Sequence, residues 1–260
     1  MRLPRERTRP HITLSELRAS HTPTSVQERL EGGPEQSYLK DFIYGAIDGA
    51  VTTFAVVSGV AGAGLSSQII IILGVANLVA DGFSMAVSNY LATKAEIEER
   101  EKTRLEEESH IRLYPDGERE EIRQIFARKG FEGPHLEHAV HVITSNENRW
   151  VDTMLQEEHG LSLESPNALR AAWATLAAFV LVGSIPLITF VWDSVFKGSI
   201  SHPFVWSTIL TGIAFFAVGV AKSRVVGKRW HVGGLETLLV GGLAAVLSYL
   251  IGAILKGIAG

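Results

Sequence analysis

The sequence contains no cysteine, which excludes disulfide bonds and thiolate metal sites. None of its nine histidines falls inside a long apolar run, and neither H-E-x-x-H nor G-x-S-x-G occurs. These absences argue against a membrane-embedded hydrolase. We expect neither an enzyme nor a nucleic-acid-binding protein, and no prosthetic group.

Charge is unevenly distributed along the chain. Between Glu96 and Glu164 there are 18 acidic and 9 basic residues, a local net charge of −9. This composition predicts a water-facing acidic domain over 96–165. Residues 1–40 lack both apolar periodicity and an apolar signal core, so we expect a mobile cytoplasmic tail. An organellar transit peptide is the alternative, and the acidic residues of the tail argue against it.

Long apolar runs occupy most of the remaining chain. A membrane-spanning helix needs roughly 20 apolar residues. Five segments reach that length: 42–63, 68–92, 170–192, 203–222 and 232–255. They predict an all-α, polytopic membrane protein with helices one and two in 41–95 and helices three to five in 166–260. Pro186 should kink the third span.

Lysine and arginine predict the orientation, because cytoplasmic loops are enriched in both. The tail and the loop between spans four and five are basic, whereas "GAGLSSQ" has no basic residue and "WDSVFKGSISH" has only Lys197. We therefore expect the N-terminus and the acidic domain in the cytoplasm and the C-terminus outside.

Polar residues interrupt the first two spans. Asp48 lies in the first, while Asn77, Asp81, Ser84, Met85 and Ser88 form a stripe about 100° wide on the second. A carboxylate at membrane depth costs about 2.5–3.5 kcal/mol, so such residues commonly mark an ion path. Asp48, Asp81 and Met85 are therefore candidate metal ligands. Alternatively, the carboxylates are neutral structural groups and Met85 fills the core.

The acidic domain offers further candidate ligands on three predicted helices. The second span should continue as helix to Pro115, a second helix should be capped by Asp116 and end at Gly130, and a third should run from Pro134 to Gly160. Carboxylates with imidazole from several helices suit Fe²⁺, Mn²⁺, Co²⁺ or Zn²⁺. The candidates are Glu107, His110, Glu118, Glu121, Met154, Glu157 and Glu158. A solvated acidic surface and a ferritin-like oxidase remain open, and His135, His138 and His141 are interpreted as surface residues.

Three stretches resemble the vacuolar iron transporter family: "DFIYGAIDGAVTTFAVVSGVAGA", "GVANLVADGFSMAVSNYLATKAEIE" and "GGLETLLVGGLAAVLSYLIGAIL". The resemblance covers about residues 40–258 and looks like that of a bacterial-type member. It implies a homodimer with five spans per subunit that exports divalent iron from the cytosol in exchange for protons. It also implies that Asp48 and Met85 lie in the transport path. In the acidic domain, it implies that glutamates and a methionine bind metal.

Three residues depart from the family pattern. Asn89 stands where a glutamate is common, Asp81 where a small residue is expected, and His110 where a glutamate is expected. From the resemblance we predict an exporter of Fe²⁺, with Mn²⁺ as a second cargo, in a bacterial inner membrane rather than a vacuole. The alternative is a metal-gated channel or metal-sensing regulator without proton coupling.

Overall fold

A computed structural model describes residues 13–31, 37–196 and 198–257. Every regular element in these ranges is an α-helix. The helices are α1 (Leu14–Ser20), α2 (Pro23–Glu31), α3 (Leu39–Gly62), α4 (Ser67–Leu113), α5 (Pro115–Arg128), α6 (Gly133–Thr144), α7 (Glu147–Glu157), α8 (Ala168–Gly183), α9 (Ile185–Val195), α10 (Pro203–Val225) and α11 (Trp230–Leu255). The all-α prediction is confirmed.

Contacts divide the chain into two compact units. The acidic unit comprises residues 91–167, and the membrane unit comprises the described residues before and after it. Helix α4 supplies residues to both. It continues as helix to Leu113. The sequence predicts this continuation, because no glycine or proline lies between the second apolar run and Pro115.

Four helices of the membrane unit are long and apolar enough to cross a bilayer: α3, α4, α10 and α11. Helices α8 and α9 pass the same test only as a pair, and they meet at a 50° bend. The bend follows Ser184 and places Pro186 in the first turn of α9, which confirms the predicted kink. The chain is therefore a polytopic membrane protein with four spans, or five if the bent pair is one span.

Helix α3 packs against α8, α9, α10 and α11. Glycine permits this close approach, because a Cβ at Gly49 would lie 2.8 Å from the Cα of Phe179. Around this contact, Phe54, Phe179 and Phe215 are almost completely buried and form the centre of the apolar core. The packing fixes the face of α3 that carries Asp48.

The acidic unit has a separate apolar core. Ile122 of α5, Val140 of α6 and Trp150, Met154 and Leu155 of α7 are buried together in it. Each helix contributes one apolar face, so its acidic residues are left for the opposite faces and the helix ends.

Two boundary predictions in the acidic unit are wrong. The predicted single helix from Pro134 to Gly160 is two helices, because Asn146 leaves the helical conformation and its side chain accepts a hydrogen bond from the Arg149 N–H. Asp116 is not an N-cap: Pro115 begins α5, and Asp116 lies in its first turn, 2.7 Å from Arg119.

The predicted tail contains the exposed helices α1 and α2. In α1, Thr13 and Glu16 form a reciprocal capping box. Residues 1–12 and 32–36 of the predicted tail lie outside the described residues.

Substitution of Gly49 tests the close packing of α3 against α8. We expect Gly49→Ala to lower the thermal unfolding midpoint in detergent by roughly 5 °C, because the new methyl group would push α3 from the backbone of α8. Gly242→Ala is the matched control, since nothing lies within 4 Å of its added Cβ. Helix propensity should leave that variant unchanged or slightly stabilised. Equal midpoints for the two variants would contradict the close α3–α8 packing.

Candidate metal sites

The membrane unit brings two carboxylates together on different helices. Asp48 of α3 is half-buried and Asp81 of α4 is exposed, and the two are close enough to repel each other. Within the described residues neither carboxylate forms an ion pair. Beside them, the Asn77 amide donates hydrogen bonds to Thr52 Oγ1 at 3.3 Å and Thr53 Oγ1 at 3.4 Å, which joins α4 to α3.

Met85 lies one turn beyond Asp81 on α4. Its side chain is half-buried and packs against the edge of the apolar core, while Ser84 and Ser88 are exposed. The thioether therefore lies between the core and the polar stripe. This placement fits both a packing role and access to a cation, and the ligand role of Met85 stays a prediction.

Asn89 organises a second polar contact in the membrane unit. Its Nδ2 group donates to Asp41 Oδ1 at 2.9 Å and to Thr175 Oγ1 at 2.8 Å, which ties α4 to α3 and α8. The amide at this position thus holds a carboxylate from another helix. Asp41 was not among the residues predicted from the sequence, although it precedes Asp48 by two helical turns on the same face.

The acidic unit holds a cluster built around Glu107. Glu107 of α4 and Glu118 of α5 have side chains only 4% and 9% exposed. His110 Nδ1 lies 3.9 Å from Glu107 Oε1 and 3.6 Å from Glu118 Oε1. The Oε2 atoms of both glutamates are buried and have no hydrogen-bond partner among the described residues. Such orphaned oxygens are expected where a cation is to be bound.

Glu158 and His159 complete a second ligand group that shares Glu107. Helix α7 ends at Glu157, and the following turn places His159 Nε2 at 3.0 Å from Glu107 Oε1. Each group, Glu107/His110/Glu118 and Glu107/Glu158/His159, could hold a metal ion. His159 was not among the ligands predicted from the sequence. Its position directly after Glu158, at the end of a helix, is the one feature of the sequence that could have indicated it.

The crowded carboxylates shift one another's protonation. Burial, followed by the charges of Glu121 and Glu107, raises the pKa of Glu118 from 4.5 to about 7. Burial and the same two neighbours also raise the pKa of Glu158. The hydrogen bond to Glu107 raises the pKa of His159, mainly by stabilising the imidazolium. Glu121 therefore contributes negative charge to the cluster.

The remaining predicted ligands are placed elsewhere. Met154 is fully buried beside Trp150 and Leu155 in the apolar core. Glu157 forms an ion pair with Lys129. Of the two neighbouring glutamates, Glu158 lies in one of the ligand groups. The metal-ligand roles of Met154 and Glu157 stay predictions. The histidines 135, 138 and 141 are exposed on α6.

The fold and these polar groups define the class: a polytopic helical membrane protein with carboxylate clusters suited to divalent cations. Comparison with known proteins then gives the family. The chain matches the model of the VIT family over residues 39–253, and it belongs to that family. This confirms the resemblance seen in the sequence.

Curated relatives agree along most of the chain. It is 32% identical to vacuolar iron transporter 1 of Eucalyptus grandis, over 81% of this chain and 84% of the relative. It is 30% identical to vacuolar iron transporter 1 of Arabidopsis thaliana, over 84% and 86%, and 30% identical to the vacuolar iron transporter of Plasmodium berghei, over 85% and 84%.

The family consists of transporters, so the expectation that the chain is not an enzyme is confirmed. These relatives carry vacuolar names, and the expectation of a bacterial-type member is not borne out.

The raised pKa of Glu118 gives a testable pH dependence. The unfolded chain ionises this carboxyl near pH 4.5, whereas the folded chain keeps it protonated up to about pH 7. Its contribution to stability is therefore present below pH 4.5 and is lost as the pH rises to about 7. We expect the metal-free protein to unfold at a lower temperature at pH 8 than at pH 5.

Glu118→Gln is the matched variant, because it keeps the shape of the side chain and removes its titration. Thermal unfolding in a chelator should depend less on pH in this variant than in the wild type. An unchanged pH dependence would contradict the burial of Glu118 beside two other carboxylates.

Proposed function

We propose that this protein is a multi-pass transporter that moves Fe²⁺ out of the cytosol in exchange for protons. Mn²⁺ is a second candidate cargo. The observation that carries the proposal is the pair Asp48 and Asp81, two neighbouring carboxylates on two membrane helices with no ion pair to either among the described residues. The iron-transporting names of the relatives support the choice of cargo.

Charge balance connects this pair to an exchange reaction. Two carboxylates neutralise one divalent cation, and two protons neutralise the same carboxylates after the cation leaves. Either state avoids uncompensated charge at membrane depth, which is costly. Met85 would add a polarisable sulfur ligand, which Fe²⁺ accepts more readily than Mg²⁺ or Ca²⁺.

We also propose five spans, with α8 and α9 together forming the third. Tryptophan supports this, because its side chain prefers the membrane interface. Trp173 near the start of α8 and Trp192 near the end of α9 are both more than half exposed, as are Trp206 and Trp230 near the starts of α10 and α11. Tryptophan thus falls near both ends of the bent pair, which supports a full crossing.

The acidic domain, 96–165, serves in this proposal as a cytoplasmic collector of metal. Its net charge of −9 attracts cations, and Glu107 and Glu118 offer buried oxygen atoms that lack partners. The transport path would lie in the segments 41–95 and 166–260, at the interface of a homodimer. A second subunit would shield the exposed Asp81 and the serines beside it from lipid.

One observation favours a second candidate function. The Glu107 cluster lies in a compact unit of its own, as a sensor domain would. A metal-gated channel would use this unit to open a passive path, and its flux would follow the metal gradient without needing protons.

Topology can be tested directly because the natural chain has no cysteine. We expect Glu132→Cys and Val226→Cys to be protected from an impermeant maleimide added to right-side-out vesicles, and Ser201→Cys to react. Lysis should expose all three sites. Protection of Ser201→Cys before lysis would show that the α8–α9 pair turns back without crossing the membrane.

Transport can be tested by loading the protein into liposomes and measuring Fe²⁺ flux under reducing conditions. We expect a proton gradient that drives protons in the direction opposite to Fe²⁺ to accelerate Fe²⁺ flux by about tenfold or more. Asp48→Asn should abolish this acceleration. Met85→Leu, which keeps the volume but removes the sulfur, should slow flux while Met85→Ala should slow it further. Flux that is independent of the proton gradient would favour the channel, and normal transport by Asp48→Asn would exclude the proposed path.

A further inference from the structure

The two ligand groups of the acidic unit have the same composition. Each contains two carboxylates and one imidazole, and Glu107 belongs to both. His110 approaches Glu107 and Glu118 from α4, and His159 approaches Glu107 from the end of α7. A purely electrostatic cation trap would need carboxylates alone, so the two imidazoles require a separate explanation.

We propose that His110 and His159 are metal ligands that set the selectivity of this cluster. They make it prefer Fe²⁺, Co²⁺ and Zn²⁺ to Mn²⁺. The inference rests on the proposed role of the acidic unit in collecting metal, and it narrows the cargo that this unit accepts.

The distances fit coordination by shared cations. Ligand atoms that bind one transition metal at about 2.1 Å lie no more than about 4.2 Å apart. The separations of Glu107 Oε1 from His159 Nε2 and His110 Nδ1 are 3.0 and 3.9 Å, and that of His110 Nδ1 from Glu118 Oε1 is 3.6 Å. The two distances to His110 are too long for hydrogen bonds, so this imidazole lies near the carboxylates without being bound to them.

Burial supplies the second line of support. The Glu107 and Glu118 side chains are more than nine-tenths buried, and one oxygen of each lacks any partner among the described residues. Surface carboxylates that merely attract counterions remain hydrated. The imidazoles are more accessible, with side-chain exposures of 58% for His110 and 34% for His159. A cation could therefore reach the buried oxygens past the two histidines.

Ligand chemistry gives the direction of the selectivity. Affinity of nitrogen and oxygen sites rises from Mn²⁺ through Fe²⁺ and Co²⁺ towards the end of the series, and imidazole suits the later metals, whereas carboxylate and water suit Mn²⁺. Replacing an oxygen ligand by imidazole in each group therefore disfavours Mn²⁺ relative to the other three ions.

The experiment measures selectivity on the full-length protein in detergent. Mn²⁺ binding is followed by the loss of its free electron paramagnetic resonance signal, and Co²⁺ binding by its visible absorption. We expect the wild type to bind Co²⁺ more tightly than Mn²⁺. His159→Gln and His110→Gln should each weaken Co²⁺ binding by about tenfold or more and Mn²⁺ binding much less.

His138→Gln is the control, because His138 is exposed on α6 outside both ligand groups. Zinc X-ray absorption provides an independent readout: the imidazole scattering of the wild type should weaken in each cluster variant and not in the control. This signal separates a coordinating His159 from one that only holds Glu107 through a hydrogen bond.

Three results would overturn the inference: equal affinity for Mn²⁺ and Co²⁺, an unchanged affinity ratio in both cluster variants, or zinc bound without imidazole. All three leave the proposed transport through Asp48 intact. Absence of any metal binding would overturn both the inference and the collecting role of the acidic unit, and the liposome flux would still decide whether the membrane unit transports.

Discussion

Carboxylates that have no lysine or arginine partner among the described residues are the constraint that both units share. In the membrane unit, Asp48 and Asp81 repel each other on neighbouring helices. In the acidic unit, Glu107 and Glu118 are buried with an oxygen of each unsatisfied. Isolated negative charge in a poorly hydrated place is unfavourable, so such groups persist only if they bind protons or cations. In the proposed function, metal binding and proton binding are the two ways of neutralising these carboxylates.

Packing keeps these carboxylates from relaxing into water. Glycine on α3 brings the backbones of α3 and α8 together, so the helix cannot rotate to release Asp48 without breaking its core contacts. In the acidic unit, Ile122 of α5 and Met154 of α7 are completely buried in the apolar core, on the helices that carry Glu118 and precede Glu158. The two methionines predicted as ligands differ in burial: Met154 lies within the core of the acidic unit, whereas Met85 lies at the edge of the membrane-unit core, beside the polar stripe. Chemical type alone did not distinguish them.

Local sequence signals predicted much of the fold. Apolar length identified the long membrane helices, and Pro186 identified the bend between α8 and α9. The absence of glycine and proline between Gly82 and Pro115 predicted that α4 continues beyond the membrane segment. The prediction of helix boundaries failed where a side chain hydrogen-bonds to a nearby backbone N–H and so starts a new helix. Asn146 caps the start of α7 directly after Ser145, the C-cap of α6, although "HVITSNENRW" contains neither glycine nor proline. The missed site residues have a different cause: His159 meets Glu107 from 52 positions away, and no local pattern encodes such an encounter.

The hydrogen bonds of Asn89 show what an amide does at a position where the family pattern commonly has a glutamate. An amide cannot supply the negative charge of a glutamate, but it can donate a hydrogen bond to a carboxylate. Asn89 does so towards Asp41, and it uses Thr175 as a second acceptor. A glutamate at position 89 would instead place two carboxylates face to face. The carboxylate that Asn89 contacts therefore belongs to α3 and lies two turns from Asp48 along the same face.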